Sequence, residues 1–145
     1  MRIHTEIDID APADRVWDIL TDFDAYPSWN PMIPNLRGEL SVGSRLDFKI
    51  SLNRRLKVPI SVELVTADAP HELRWVGPTF TPLRRVLSGS HYFRIDSTDE
   101  NHCRFSHGED FEGLAIPAHW RRAEKAMTPL YAALNKAIKR RAEAH

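Results

Sequence analysis

With a single cysteine, Cys103, in 145 residues, neither an intrachain disulfide framework nor a cysteine-rich zinc site can organise this chain. Neither sign of charge is in excess. Twenty Lys and Arg balance twenty Asp and Glu, which argues against a nucleic-acid partner and against an acidic disordered tail. No apolar run approaches the length of a membrane span, and the opening Met1-Arg2-Ile3-His4-Thr5-Glu6 is too polar for a secretory segment, so a cytoplasmic protein is expected. Also missing are a Gly-rich phosphate loop, a Gly-x-Ser-x-Gly elbow, a His-Glu-x-x-His helix and a Cys-x-x-Cys pair. Nucleotide, serine-hydrolase, zincin and thiol-redox chemistry therefore lose their usual support. What remains is a chain with 42% hydrophobic and 28% charged residues, long enough to enclose one core. A single domain over residues 1–145 is expected.

The balanced charges are unevenly spread. From Met1 to Asn30 seven acids (Glu6, Asp8, Asp10, Asp14, Asp18, Asp22, Asp24) stand against Arg2 and Arg15. From Arg121 onward seven bases (Arg121, Arg122, Lys125, Lys136, Lys139, Arg140, Arg141) stand against Glu124 and Glu143. Two solvated helix faces of opposite sign are the plain reading, and they favour docking of the two chain ends.

Ile3, Thr5, Ile7 and Ile9 alternate with polar residues, the period of a strand with one buried face. Pro12 suits a first helical position, and Val16, Trp17, Leu20 and Phe23 recur at helical spacing. The turn-rich Tyr26–Pro34 segment then reverses the chain. From Ile33 to Gly113 the pattern predicts six further strands. Leu46, Phe48, Ile50 and Leu52 alternate, Asn53-Arg54-Arg55 turns, and Leu56 to Leu64 alternates again. A shorter strand over His71–Val76 precedes a long one from about Arg84 to Ser97, and a closing strand carries Cys103, Phe105, His107, Glu109 and Phe111 on one face. From Pro117 to about Ala144 a helix presents Trp120, Ala123, Met127, Leu130, Tyr131, Leu134 and Ile138 as one apolar stripe. Pro129 inside it predicts a bend.

These elements define an α+β domain in which a curled antiparallel sheet covers one long helix and leaves a cavity beside it. Three segments then look familiar: Ala11-Pro12-Ala13-Asp14-Arg15-Val16-Trp17, Trp29-Asn30-Pro31, and Gly89-Ser90-His91-Tyr92-Phe93 with His107-Gly108-Glu109-Asp110-Phe111-Glu112-Gly113. Together, and over essentially the whole chain, they resemble the START-like or SRPBCC helix-grip superfamily, in its polyketide-cyclase/dehydrase and lipid-transport branch. The resemblance implies a seven-stranded antiparallel sheet curved around the C-terminal helix, two short helices between strands 1 and 2, and an apolar ligand cavity.

His91, His107 and Glu109 form the sharpest candidate set, because strand parity points all three into the concave interior. An imidazole and a carboxyl there suit general acid–base work in a cyclisation or dehydration. The plainer alternative is an internal hydrogen-bonded pair that orients the pocket. No further ligand accompanies them, so neither a metal nor another cofactor is expected. Trp17, Trp29, Phe48, Trp75, Phe93, Phe111, Trp120, Met127 and Tyr131 are either core or the wall of a ligand cavity. The turns carrying Arg54, Arg55, Arg84 and Arg85 are expected to gather at one end with Met32, Phe80, Leu83, Leu114 and Ile116 as a mouth. There Arg84 and Arg85 would hold the carboxylate or phosphate of an amphiphile, and transient contact with an anionic bilayer surface is a further expectation.

Binding or transport of a hydrophobic or amphiphilic small molecule, a lipid, fatty acid or polyketide-like compound, is the leading reading. A cyclase or dehydratase using His91, His107 and Glu109 is the alternative. A monomer or a homodimer is compatible with either.

Overall fold

Alternation turns one face of Ile3, Thr5, Ile7 and Ile9 inward. In the computed structural model, which describes residues 1–144 apart from the side chains of 117–119, this stretch is β1, Arg2–Ile9. The expected domain limit at His145 lies outside the described residues. Pro12 precedes α1, Ala13–Thr21, in which Val16, Trp17 and Leu20 are buried on one face. A 3₁₀ helix, Phe23–Ser28, follows. The chain then reverses at Asn30, whose side-chain oxygen accepts from the amides of Met32 (3.0 Å) and Ile33 (2.8 Å).

The sheet continues as β2, Leu36–Arg37; β3, Arg45–Ser51; β4, Lys57–Asp68; β5, Glu72–Gly77; β6, Ser88–Asp99; and β7, His102–Glu112. The seven strands are ordered β1-β7-β6-β5-β4-β3-β2 with antiparallel neighbours, so the first strand pairs with the last. The long helix α3, Ile116–Glu143, packs Tyr131, Leu134, Ile138 and Ala142 into the core on the sheet's inner face. This is the α+β helix-grip fold, with two short helices between β1 and β2.

One expectation about local structure is corrected. The strand expected from Arg84 starts only at Ser88, and Thr81–Arg84 form a short helix, α2. Pro82 accounts for this, since it has no N–H to give a ladder and its fixed φ suits a first helical turn. The amides of Leu83 and Leu87 close that turn on the carbonyls of Phe80 (3.1 Å) and Leu83 (3.0 Å). α3 runs on through Pro129 without a break. Thr128 Oγ1 donates to the Glu124 carbonyl one turn back (2.7 Å).

The chain ends do dock, through backbone groups. Arg15, on the acidic helix α1, donates to the terminal carbonyls of α3 at Ala142 (2.6 Å) and Ala144 (2.8 Å). These carbonyls have no intrahelical partner, and a cation there also meets the negative end of the helix dipole. Lys139 Nζ donates in turn to the carbonyl of Asp8 (2.6 Å).

Candidate functional site

Strand parity brings His91 and Glu109 to the inner face, and the β6–β7 register makes them direct cross-strand partners. In the next row Phe93 lies opposite His107, with Thr5 of β1 beyond it. Over these rows α3 lays Tyr131 and Asn135, one helical turn apart. The His91 ring is held between two aromatic faces, Trp75 at 5.1 Å and Tyr131 at 5.4 Å between centroids.

The hydrogen bonds among these groups fix where the protons sit. Thr5 Oγ1 gives its one proton to the carbonyl of His107 (2.7 Å), so it accepts from Asn135 Nδ2 (2.7 Å). The Asn135 amide is thereby oriented, and its Oδ1 faces His107 Nδ1 (3.2 Å), which must carry hydrogen. In the neutral ring His107 Nε2 is then an acceptor, and His91 Nε2–H donates to it across 2.7 Å. His91 Nδ1 is left facing Glu109 Oε1 at 3.0 Å, and the Tyr131 hydroxyl donates to the same oxygen at 2.5 Å. A lone pair on Nδ1 cannot rest against a carboxylate oxygen. One proton is therefore shared by the pair, as carboxylic acid with imidazole or carboxylate with imidazolium.

Burial, reinforced by the charge of neighbouring His91, holds His107 well below the ordinary imidazole value of 6.5, against a smaller opposing effect of Asn135 and the Tyr131 backbone. Burial, and then Glu109, pushes the Tyr131 phenol well above its usual range, so it stays a donor. His107 meets His91 from β6 and Tyr131 and Asn135 from α3, with Glu109 beyond on its own strand. The unfolded chain binds a proton near pH 6.5 that the folded ring refuses, so this contribution is complete above that pH and falls as pH drops. The slope approaches about 1.4 kcal/mol per pH unit. Thermal melts are expected to show Tm falling from about pH 7 to about pH 5, and His107→Gln is expected to flatten the decline. The exposed His102, raised by Asp99, works in the opposite direction. A wild-type Tm that holds constant over this interval would contradict a neutral, buried His107.

Above this network lies a cavity of about 950 Å³ between the β3–β4 hairpin, the segment 77–87, the end of β7 and Met127 of α3. Its wall is apolar, with Ile50, Ile60, Leu83, Phe111 and Met127 among its residues, and Glu109 and Gly89 reach it from the floor. A small recess of about 20 Å³ continues to Trp75 and His91. Glu109 Oε2 makes no hydrogen bond among the described residues. It occupies the space that a β-carbon at position 89 would fill, so Gly89 is what leaves room for the carboxyl.

The sequence candidates are divided by the structure. His91, His107, Glu109 and Tyr131 come together. Phe48 and Trp75 line the inner recess, while Phe111 and Met127 line the cavity itself, with Trp120 packed on Phe111 at 5.5 Å. Trp17 and Phe93 are buried in the core, and Trp29 packs against Tyr26. Arg84 and Arg85 are not among the described cavity-lining residues. Phe80 and Leu83, expected at the mouth, border the cavity, as do Val86 and Leu87, while Arg84 Nε is tied to the Pro78 carbonyl (2.6 Å). Met32 and Ile116, expected at the mouth, are buried.

Thr5, Gly89 and Asn135 escaped the sequence reading of the site. A signal existed for two of them, since Thr5 holds an inward position of β1 and Asn135 interrupts the apolar stripe of α3. Cys103 is remote from this chemistry, and burial pushes its thiol up to about 11. Among the described residues no three or more His, Cys, Asp or Glu side chains are grouped to hold a metal ion, and no helix is long and apolar enough to cross a membrane.

Known proteins match this architecture. A START superfamily protein from Mycobacterium smegmatis is similar at 19% identity over 98% of this chain and 97% of its own, with a TM-score of 0.76. Zhui aromatase/cyclase from Streptomyces sp. R1128 is similar at 16% identity over 99% and 93%, with a TM-score of 0.77. Truncated norcoclaurine synthase from Thalictrum flavum is similar at 17% identity over 100% and 94%, with a TM-score of 0.74. At such identities the likeness speaks for the fold alone. No curated protein matches the chain at a significant level. The sequence pattern of the family described as polyketide cyclase/dehydrase and lipid transport, however, spans residues 1–143. The chain therefore belongs to that family, within the START/SRPBCC helix-grip superfamily.

Proposed function

We propose that the protein is an acid–base catalyst that cyclises or dehydrates a hydrophobic, polyketide-like carbonyl compound, with Glu109 exchanging protons at the cavity floor. The observation that carries this reading is the asymmetry of its carboxyl group. Oε1 is held by Tyr131 and His91, while Oε2 is left without a partner at the cavity. A carboxyl positioned only to pack would have both oxygens satisfied. The family's description, and the enzyme names of the aromatase/cyclase and the synthase it resembles in fold, favour chemistry over passive carriage.

In this reading Oε2, as carboxylate, takes a proton from carbon next to a ketone. For dehydration it returns that proton to the neighbouring hydroxyl, which leaves as water while the double bond forms. For cyclisation the enolate carbon attacks a second carbonyl, and the proton goes to the resulting alkoxide. The proton shared with His91 Nδ1 compensates the charge on Glu109 at each stage, and Tyr131 fixes the plane of the carboxyl. His107, Asn135 and Thr5 act through His91 as positioning residues.

Carriage without chemistry is the second reading, favoured by the size and apolar wall of the cavity. Incubating the protein with an aromatic 1,3-diketone in deuterated water separates the two. An acid–base enzyme accelerates deuterium uptake at the carbon between the carbonyls, read by mass spectrometry. Binding of the diketone with no acceleration would leave carriage as the function.

A further inference from the structure

We propose that the cavity mouth is a docking face for an anionic lipid bilayer. The inference rests on three loops, 51–57, 77–88 and 112–116, and not on the acid–base role of Glu109. The second and third are joined, since the amides of Leu114 and Ala115 donate to the carbonyls of Arg85 (3.1 Å) and Val86 (3.0 Å). The first lies across the opening, where Leu52 and Val58 border the same cavity as Phe80 and Leu83.

Large apolar side chains stand out at the tips of all three. Leu56 is 51% exposed, Phe80 64%, Leu83 50% and Leu114 86%. Basic residues lie between them. In a chain of zero net charge these loops hold Arg54, Arg55, Lys57, Arg84 and Arg85 against one acid, Glu112. No ion pair among the described residues involves Arg54, Arg55, Lys57 or Arg85. The opposite end of the sheet is mixed in charge, its turns carrying Asp10, Asp68, Asp99 and Glu100 beside Lys139, Arg140 and Arg141 of the last turns of α3. The mouth is thus a locally basic rim, and its field favours an anionic surface.

The shape of the rim selects a bilayer over a protein. A protein partner needs a surface complementary to a contiguous patch, whereas here separate apolar tips project around an open hole. A bilayer accepts such tips in any arrangement, with leucine and phenylalanine in the acyl boundary and guanidinium groups at the anionic headgroups. The cavity then opens into hydrocarbon, and an apolar ligand passes in or out without crossing water.

Co-sedimentation tests this with vesicles of phosphatidylcholine alone and with about one-third phosphatidylserine. The wild type is expected to bind the anionic vesicles, less so at high salt, and the neutral ones weakly. Each base near the surface contributes roughly fivefold, so Arg54→Gln with Arg55→Gln is expected to weaken binding on the order of tenfold or more. Leu114→Ser is expected to weaken it at both low and high salt. All three positions are exposed and outside the described cavity wall, so melting temperatures at wild-type values separate lost docking from lost fold. Equal binding to both vesicle types, binding untouched by either variant, or no binding to any vesicle overturns the proposal. In the last case an acidic protein surface becomes the candidate partner. Deuterium uptake from a dissolved diketone is independent of these outcomes, so the proposed chemistry and the docking face fail separately.

Discussion

Glu109→Gln is expected to lower turnover by about 10²- to 10⁴-fold while leaving ligand affinity essentially intact. Glutamine has the same length and shape, so the floor of the cavity keeps its outline, although the amide cannot carry the proton that Glu109 shares with His91. What disappears is a group that both takes and returns a proton at the Oε2 position. A companion variant, Gly89→Ala, reaches the same oxygen from the other side, because its methyl group collides with the carboxyl and must displace it. It is expected to retain the fold and lose most of the activity. Steady-state rates and calorimetric titration of one ligand against the three proteins read both effects. Turnover undiminished in Glu109→Gln would remove the acid–base role, whatever the affinity does.

Leu134→Asp is expected to leave the chain without a stable fold. Leu134 is fully buried between α3 and the sheet, and a carboxylate there has no cationic or donor partner on the apolar stripe. Burying an unpaired charge costs several kcal/mol or more, against a total stability of about 5–15 kcal/mol for a domain. Leu134→Ala, which leaves a void instead of a charge, is expected to cost about 2–5 kcal/mol and to remain folded. Met127→Asp, two turns earlier on the same helix, is expected to fold, because that side chain is half-buried and borders the cavity. It is expected to weaken binding of an apolar ligand. Circular-dichroism melts of the three variants check the set. A Leu134→Asp protein that melts like the wild type would mean that α3 is not the helix the sheet grips.

Strand parity alone made the candidate site partly legible. In a strand the side chain alternates with every residue, so His91 with Phe93, and His107 and Glu109 with Phe105, share faces on local grounds alone. The same holds for the α3 stripe, where a spacing of three and four residues selects Tyr131, Leu134 and Ile138 for the core. The mouth was less legible. Alternation from Leu87 suggested a strand from about Arg84, but the strand starts at Ser88, after the helical turn at Pro82, with Leu87 bordering the cavity and Arg84 fastened to Pro78. Arg15 shows a different limit. Its place among acids suggested a charged helix face, yet its partners are carbonyls 127 and 129 residues away, and no local pattern names them.

By itself, then, the sequence determined the periodicities, and through them seven strands, a terminal amphipathic helix, an inward His91, His107 and Glu109, and the resemblance that places the chain in its superfamily. Only the tertiary structure decided that His91 stands opposite Glu109, that the Tyr131 hydroxyl claims one carboxyl oxygen and leaves the other to the cavity, and that Thr5 sets the tautomer of His107 through Asn135. The physical reason is range. A face follows from a residue's immediate neighbours, whereas the place of a proton here depends on β1, β6, β7 and α3 meeting in one register, across separations of up to 130 residues.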